Sequence, residues 1–195
     1  ANMSHEIRTP MNAIIGFTKV VLKTELSAKQ KEYLMAIKMS GDALIVLIND
    51  ILDFSKLEAG KLRLECSKGN IVSLVKSVAL SFESLAESKD ITLKINYSKE
   101  YIELYFDKEK MFKILSNILS NAFKYTPQNG KITVTINESG TNNVQIKIRD
   151  TGIGIASEEI VNIFDRFYQV DSSFTKEFEG TGIGLALTKE LVELQ

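Results

Sequence analysis

The sequence predicts an α-helical hairpin, a four-helix bundle as a dimer, followed by an α+β sandwich with a mixed sheet covered on one face by helices. Three observations predict it. Apolar residues recur at alternating threes and fours up to Gly60. After Gly60 the period changes to strict alternation, which places a boundary there and divides the chain into residues 1–60 and 61–195. Beyond the boundary, strand-like and helix-like stretches are mixed without βαβ alternation, the pattern of an α+β fold.

The first helix is read from about Met3 to Lys23, with Met3, Ile7, Ile14, Phe17 and Val21 forming its apolar stripe. Residues on a helix advance by about 100° each. Thr9, Asn12, Gly16, Lys19 and Lys23 therefore share a face with His5, the one histidine of the chain, and that face points to solvent. An exposed imidazole is largely a neutral nucleophile near neutral pH. It has Glu6 beside it and the Thr9 hydroxyl one turn on. The bland alternative is a surface histidine with no task. Pro10 lies inside this helix, where it removes a backbone donor and bends the chain at a cost of about 3 kcal/mol in an ordinary helix interior. Its place one turn from His5 points to a specified geometry.

Ser27 is a good cap for a second helix from about Ala28 to Ala59, which Gly60 ends. Its stripe runs Leu34, Ile37, Gly41, Leu44, Ile48, Ile51 and Ser55, widened by Tyr33, Leu47 and Phe54. Two such helices joined by a short turn make an antiparallel hairpin. The face is too wide for one hairpin to bury, and pairing two hairpins in a homodimer solves this. The alternative is packing against the second half of the same chain.

In that half, residues 61–65 read as a strand and Ile71 to about Glu87 as a helix. Residues 91–97 and 102–106 read as strands. Asp107 caps a helix running to about Tyr125, which Thr126-Pro127 ends. Residues 131–137 and 144–149 form a hairpin around Gly140. Ser157 opens a short helix ending near Phe164, residues 165–181 form a mobile loop, and a last helix begins near Gly182.

Composition narrows the function. A hydrophobic share of 44% over 195 residues fills a core. A net charge of −1 gives no bulk reason to bind nucleic acid or an anionic membrane, and no apolar run reaches spanning length. Neither nucleic-acid binding nor membrane contact by this stretch is expected. The single cysteine, Cys66, rules out an internal disulfide, suits a reducing compartment and, after an alternating stretch, reads as a small buried hydrophobe. Helix pattern from the first residues marks the chain as a piece of something longer.

Four constellations carry chemistry. Asn117 and Asn121 are four apart on one helix with Lys124 beyond them. Amide oxygens suit a hard cation such as Mg²⁺, and an ammonium neutralises phosphate. The plain alternative is a polar helix face. Asp150-Thr151-Gly152-Ile153-Gly154 follows a strand; its carboxylate can accept from an exocyclic amine such as that of adenine, and its glycines let backbone approach a planar ring. Gly180-Thr181-Gly182-Ile183-Gly184-Leu185 opens the last helix and offers free N–H groups to phosphate. It is neither a Walker loop nor a dinucleotide fingerprint. Phe164-Asp165-Arg166-Phe167-Tyr168 edges the loop, as hinge anchors for a lid or as the packed end of a short helix.

Their order, Asn-x-x-x-Asn-x-x-Lys, Asp-x-Gly-x-Gly, a Phe-rich turn and Gly-x-Gly-x-Gly-Leu, resembles the ATP-binding domain of sensor histidine kinases. Ser4-His5-Glu6-Ile7-Arg8-Thr9-Pro10 resembles their phosphoacceptor box, and the opening wording is closest to kinases of the hybrid type. The resemblance implies a dimerisation and phosphotransfer hairpin over 1–60 and an ATP-binding domain over 61–195, truncated before its last strands. It implies an enzyme that phosphorylates His5 from ATP and relays phosphate to an aspartate of a response regulator receiver domain. Glu6 would be the base, and Thr9 would position water when the kinase dephosphorylates its partner. Asn121 and Asn117 would hold Mg²⁺ on ATP, Lys124 would neutralise phosphate, Tyr125 would pack by the adenine and Asp150 would recognise its amino group. Gly152, Gly154, Lys176, Gly180, Thr181, Gly182, Gly184 and Leu185 complete the implied nucleotide site. The chain departs from the family pattern at Glu179, Lys176 and Gln169. A cytoplasmic setting, with the parent protein free to be membrane-anchored, follows from the same resemblance. The rival readings are an ATPase of the same nucleotide fold without kinase activity and a non-catalytic dimer scaffold.

Overall fold

The structure, a computed structural model, describes residues 2–140, 143–170 and 182–195, with side chains from Glu6 onward. It divides into two compact units, Ala1–Leu62 and Arg63–Gln195.

The first unit is an antiparallel pair, α1 (Asn2–Val21) and α2 (Ala28–Glu58). Arg8 donates to Asn49 Oδ1 (2.9 Å) near one end, and Ile15 meets Gly41 further along. A Cβ on Gly41 would come 2.9 Å from Ile15 Cγ1, so the glycine sets how closely the helices approach. Ser27 and Gln30 form a reciprocal capping box that starts α2. Gly60, at φ +62°, follows its end. The seam between the helices buries Ile15, Thr18 and Gly41. The Thr18 hydroxyl is satisfied by the Ile14 carbonyl. Gly41 belongs to the stripe singled out in the sequence, but much of the rest of that stripe lies outside the seam. Ile7, Ile14, Phe17 and Val21 are 40%, 46%, 72% and 39% exposed. Ile37, Leu44 and Ile51 of α2 are exposed as well.

The second unit holds two sheets. Strand β1 (Ser67–Asn70) pairs antiparallel with β3 (Glu103–Phe106). Strand β2 (Thr92–Tyr97) runs parallel to β4 (Lys131–Glu138), and β4 antiparallel to β5 (Val144–Asp150), giving the order β2-β4-β5. Register decides which face is apolar. Ile95, Val134 and Ile148 form one row across the sheet, and Tyr97, Ile136 and Ile146 the next, all on one face. The neighbouring rows on the other face are Lys94-Thr133-Arg149 and Asn96-Thr135-Lys147. The helices α3 (Ile71–Leu80) and α5 (Lys108–Tyr125) supply Val72, Val75, Leu115, Leu119 and Phe123 to the core that buries Ile132, Val134 and Ile136. Helix α6 (Gly184–Leu194) adds Ala186, Leu187 and Leu191 to the buried set.

Several local expectations are corrected. Residues 61–65 make no ladder, and the strand begins at Ser67. The Glu65 N–H is instead taken by the Asp107 carboxylate at 2.9 Å. The single helix read over 71–87 breaks after Leu80 and resumes as α4 (Glu83–Ser88). At the break the Ser81 hydroxyl bonds the Val78 carbonyl, and Phe82 stacks on Phe123 with centroids 5.3 Å apart. No regular helix follows Ser157. Mixed bonds, Glu159 and Ile160 to Ala156 and Asn162 and Ile163 to Glu159, make a series of turns. Cys66 is exposed rather than buried, because the alternation ends at Leu64. The last helix starts at Gly184, since Gly182 at φ +67° is left-handed. Part of the 165–181 loop, residues 171–181, lies outside the described residues.

Asp107 is the best-defined cap. Buried at the start of α5, it accepts from the N–H groups of Glu109, Lys110 and Glu65. Burial by itself pushes its carboxyl up, but these donors and the Lys110 charge outweigh it and hold the group below its ordinary value. A carboxyl depressed in the folded state contributes stability above its unfolded pKa of about 3.9, and that contribution is lost as pH falls through the lower folded value. Asp107→Ala should therefore cost about 1–2 kcal/mol at pH 7. In thermal melts followed by circular dichroism, the gap between the variant and the native protein should narrow below about pH 4.

Candidate functional site

On α1 the structure leaves Glu6 and Thr9 exposed on the outer side of the helix. The His5 backbone is helical, and its side chain lies outside the described residues. The helix runs without interruption through Pro10. A proline has no N–H, so the carbonyl four residues back, that of Glu6, receives no hydrogen bond from it.

In the second unit the candidate residues are assembled on α5. Leu115, Leu119 and Ala122 face the core, and the 100° step per residue puts Asn117, Asn121 and Lys124 on the opposite side. All three are half-buried, because α6 covers part of that side. Asn117 Nδ2 donates to Thr188 Oγ1 at 2.8 Å. A Cβ on Gly184 would lie 2.5 Å from Asn117 Oδ1, so only glycine lets the amide rest on the first residue of α6. The Asn121 side chain has no hydrogen bond to any described residue. The Lys124 ammonium sits 4.9 Å from the centroid of the Tyr125 ring.

The last residue of α5 reaches the second constellation. Ile153 N–H donates to the Tyr125 carbonyl at 3.4 Å, and a Cβ on Gly152 would lie 2.6 Å from that oxygen. Asp150 ends β5 in an exposed position. One carboxylate oxygen accepts from the Gly152 N–H at 2.8 Å, and the other has no partner among the described residues. Gly154 follows at φ +73°, with no described atom within 4 Å of where a Cβ would stand.

The Phe-rich turn and the third glycine loop meet each other. Phe167 N–H donates to the Gly182 carbonyl at 3.0 Å, and a Cβ on Gly182 would lie 2.6 Å from the Phe167 carbonyl carbon. Phe167 itself is left-handed, at φ +61°. The packed-helix-end reading of the two phenylalanines fails, since Phe164 is 41% and Phe167 69% exposed. Tyr168 is tied back by its hydroxyl to Glu159. The N-cap residue of α6, Ile183, makes no side-chain cap hydrogen bond. Leu185 is half-buried in that turn. Lys176, Gly180 and Thr181 lie outside the described residues.

Three constellations thus converge on α5 or on a neighbour bonded to it. Among the described residues no cluster of three or more His, Cys, Asp or Glu side chains could hold a metal. A divalent cation fits this site only through amide oxygens and a ligand's own phosphates, and the Asn117–Asn121 face is of that kind. A cavity of about 180 Å³ lies elsewhere, lined by Arg63, Ser67, Asp107 and Lys108, and no candidate residue borders it. Sequence reading assigned no part to Thr188. The signal was its spacing of four from Gly184, which puts both on the face of α6 that meets α5.

Comparison with known proteins is consistent along the whole chain. Residues 1–60 match the model of the His Kinase A (phospho-acceptor) domain. Residues 106–195 match the histidine kinase-, DNA gyrase B- and HSP90-like ATPase family. The chain is 39% identical over 197 residues to the signal transduction histidine-protein kinase BarA of Escherichia coli, covering 98% of this chain and 21% of that protein. It is also 39% identical to the sensor histidine kinase GacS of Pseudomonas protegens, covering 99% of this chain and 22% of that one. The chain thus spans about a fifth of the length of these curated relatives. A full-length ShkA crystal structure in complex with AMPPNP superposes with a TM-score of 0.83 at 32% identity, over 100% of this chain and 40% of that one. The histidine kinase ThkA in complex with the response regulator TrrA gives 0.61 at 25% identity, over 93% of this chain and 54% of that one. With a phospho-acceptor hairpin at one end and an ATP-binding α/β unit at the other, the chain belongs to the sensor histidine kinases.

Proposed function

We propose that the chain is the kinase core of a two-component sensor, transferring the γ-phosphoryl group of ATP to His5 and then to an aspartate of a response regulator. The observation that carries this reading is the gathering of the Asn117–Asn121–Lys124 face, the Asp150–Gly154 loop and the start of α6 around one helix. Asp150 offers the adenine amino group a carboxylate oxygen that has no partner among the described residues, and Tyr125 an aromatic side chain beside the adenine. The open first turn of α6 supplies N–H groups and a positive dipole end to phosphate. Lys124 adds a positive charge, and Asn121 with Asn117 would hold Mg²⁺, which when bound offsets the charge of the triphosphate. Gly152, Gly154, Gly182 and Gly184 allow close backbone approach. Lys176, Gly180, Thr181 and Leu185 complete the set.

At His5 a ring nitrogen attacks the γ-phosphorus, an N–P bond forms as the bond to the leaving ADP oxygen breaks, and Glu6 takes the ring proton. Positioning and charge neutralisation carry most of such a transfer. Thr9, exposed one turn away, would position water in the reverse task of dephosphorylating the regulator. A response regulator as partner is supported by the relative solved in complex with one. One relative in Dictyostelium discoideum, 37% identical, is named a hybrid kinase, which favours a hybrid parent protein. The exposed stripe of Ile14, Phe17 and Ile51 supports a homodimer through the hairpin. Among the described residues no helix is long and apolar enough to cross a membrane.

Incubation with labelled ATP and Mg²⁺ should give acid-labile, alkali-stable phosphate on the protein, and His5→Ala should reduce it to background. Label that survives in His5→Ala would overturn the kinase reading, and ATP hydrolysis without label would favour a plain ATPase. Asp150→Asn should weaken ATP binding by roughly 10- to 100-fold in calorimetry, the worth of a hydrogen bond to a charged acceptor, and leave the oligomeric state unchanged. Phe17→Glu should convert a dimer to monomer in light scattering while ATP affinity stays the same.

A further inference from the structure

We propose that Thr188 is a positioning residue that sets the polarity of the Asn117 amide toward the cation. This rests on the reading of α5 and the start of α6 as the site of a Mg²⁺-bound triphosphate. A primary amide has two ends of nearly equal shape and opposite chemistry. Its oxygen ligates a cation or a cation-bound water, and its NH₂ group does neither. Which end faces the ligand is decided by what the other end bonds.

Here the amide of Asn117 lies along α6. Its nitrogen donates to Thr188 Oγ1 at 2.8 Å, one turn inside the helix. A Cβ on Gly184, the first residue of that helix, would stand 2.5 Å from the amide oxygen and 3.0 Å from the nitrogen, so the amide lies over that residue with its oxygen the nearer end. With the nitrogen bonded to Thr188, one turn further along the helix, the oxygen is the end left for the N-terminal end of α6, where phosphate binds in the reading above. Thr188 is 6% exposed, so water does not readily replace it as acceptor. Gly184 is the second half of the device. A methyl group there would stand 2.5 Å from Asn117 Oδ1 and push the amide off its bond.

Thr188→Val keeps shape and removes the acceptor, Thr188→Ser keeps the acceptor, and Gly184→Ala displaces the amide with the hydroxyl intact. The readout is ATP affinity of the full chain by calorimetry, in Mg²⁺ and in EDTA, with a melting curve for each variant. Thr188→Val and Gly184→Ala should each lose about tenfold of the gain in affinity that Mg²⁺ confers, as outer-shell partners of metal ligands commonly do. For Thr188→Val, affinity in EDTA should stay near that of the native protein, and Thr188→Ser should restore the gain. For that variant, equal losses with and without Mg²⁺, or a lowered melting temperature as the sole change, would overturn the proposal and leave Thr188 a packing residue. Asn121→Ala separates the two levels. If it abolishes the Mg²⁺ gain while Thr188→Val does not, this inference alone fails. If Asn121→Ala leaves the gain intact, the reading of the site on which it rests fails with it.

Discussion

The second unit depends on a single helix being buried on two sides. Leu115, Leu119, Ala122 and Phe123 bind α5 to the sheet and α3, while Ile114 is buried as well, near the side that α6 covers. Each fully buried aliphatic or aromatic side chain contributes about 1.5–3 kcal/mol, so the rotation of α5 about its axis is strongly fixed. Their spacing puts Asn117, Asn121 and Lys124 on one line, and that rotation turns the line away from the core. A turn of 100° would carry Leu119 out of the core. The polar face is thus held in place by apolar contacts it does not itself make.

The ends of α5 are fixed as firmly as its rotation. At the start, Asp107 holds three N–H groups, one of them from Glu65 across the chain. At the finish, Thr126 is extended and Pro127 stops the helix, so the Tyr125 carbonyl is left for Ile153. The Asp150 loop docks on that carbonyl only because residue 152 has no side chain. The sheet register brings β5 to the same place, since Asp150 stands opposite Ile132 at the edge of the central strand. Cap, stop and register act on separate stretches of sequence, yet all three place one loop.

What was legible in the sequence was what local chemistry decides. The limits of α5 follow from Asp107 and Thr126-Pro127, and those of α2 from Ser27 and Gly60, because caps and stops act within a few residues. The order of Asn, Asp and Gly motifs was equally plain. Features set by distant partners were not. The break at Ser81 goes with Phe82 stacking on Phe123, 41 positions away. The ladder at 61–65 fails because the Glu65 N–H has a better acceptor in Asp107. Phe164 and Phe167 look like core residues by type, but the segment forms short turns, and Phe167 is held by its N–H to the Gly182 carbonyl with its ring left exposed. Thr188 carries no more signal in the sequence than its spacing from Gly184, because its hydrogen bond to Asn117 forms across the α5–α6 contact.

The hairpin shows how one helix serves three purposes by angle alone. Measured from position 5 in steps of 100°, the seam residues Met11, Ile15 and Thr18 fall between about 220° and 280°. The exposed apolar residues Ile7, Ile14, Phe17 and Val21 fall between about 120° and 200°. Thr9, Asn12, Lys19 and Lys23 occupy the remaining sector with position 5, and all four are exposed. The first sector is filled by α2 within the same hairpin, and the second is apolar surface of the kind a second hairpin covers. Filling both leaves the third sector open. On the proposed function, position 5 is reached in turn by an ATP-bearing unit and by a regulator, so it needs a face that neither folding nor the proposed dimer consumes. The three-way division of α1 provides one. It also accounts for the narrow seam: had Ile14 and Phe17 packed on α2, the helix would have turned by about one residue, and its polar sector would have rotated toward the partner.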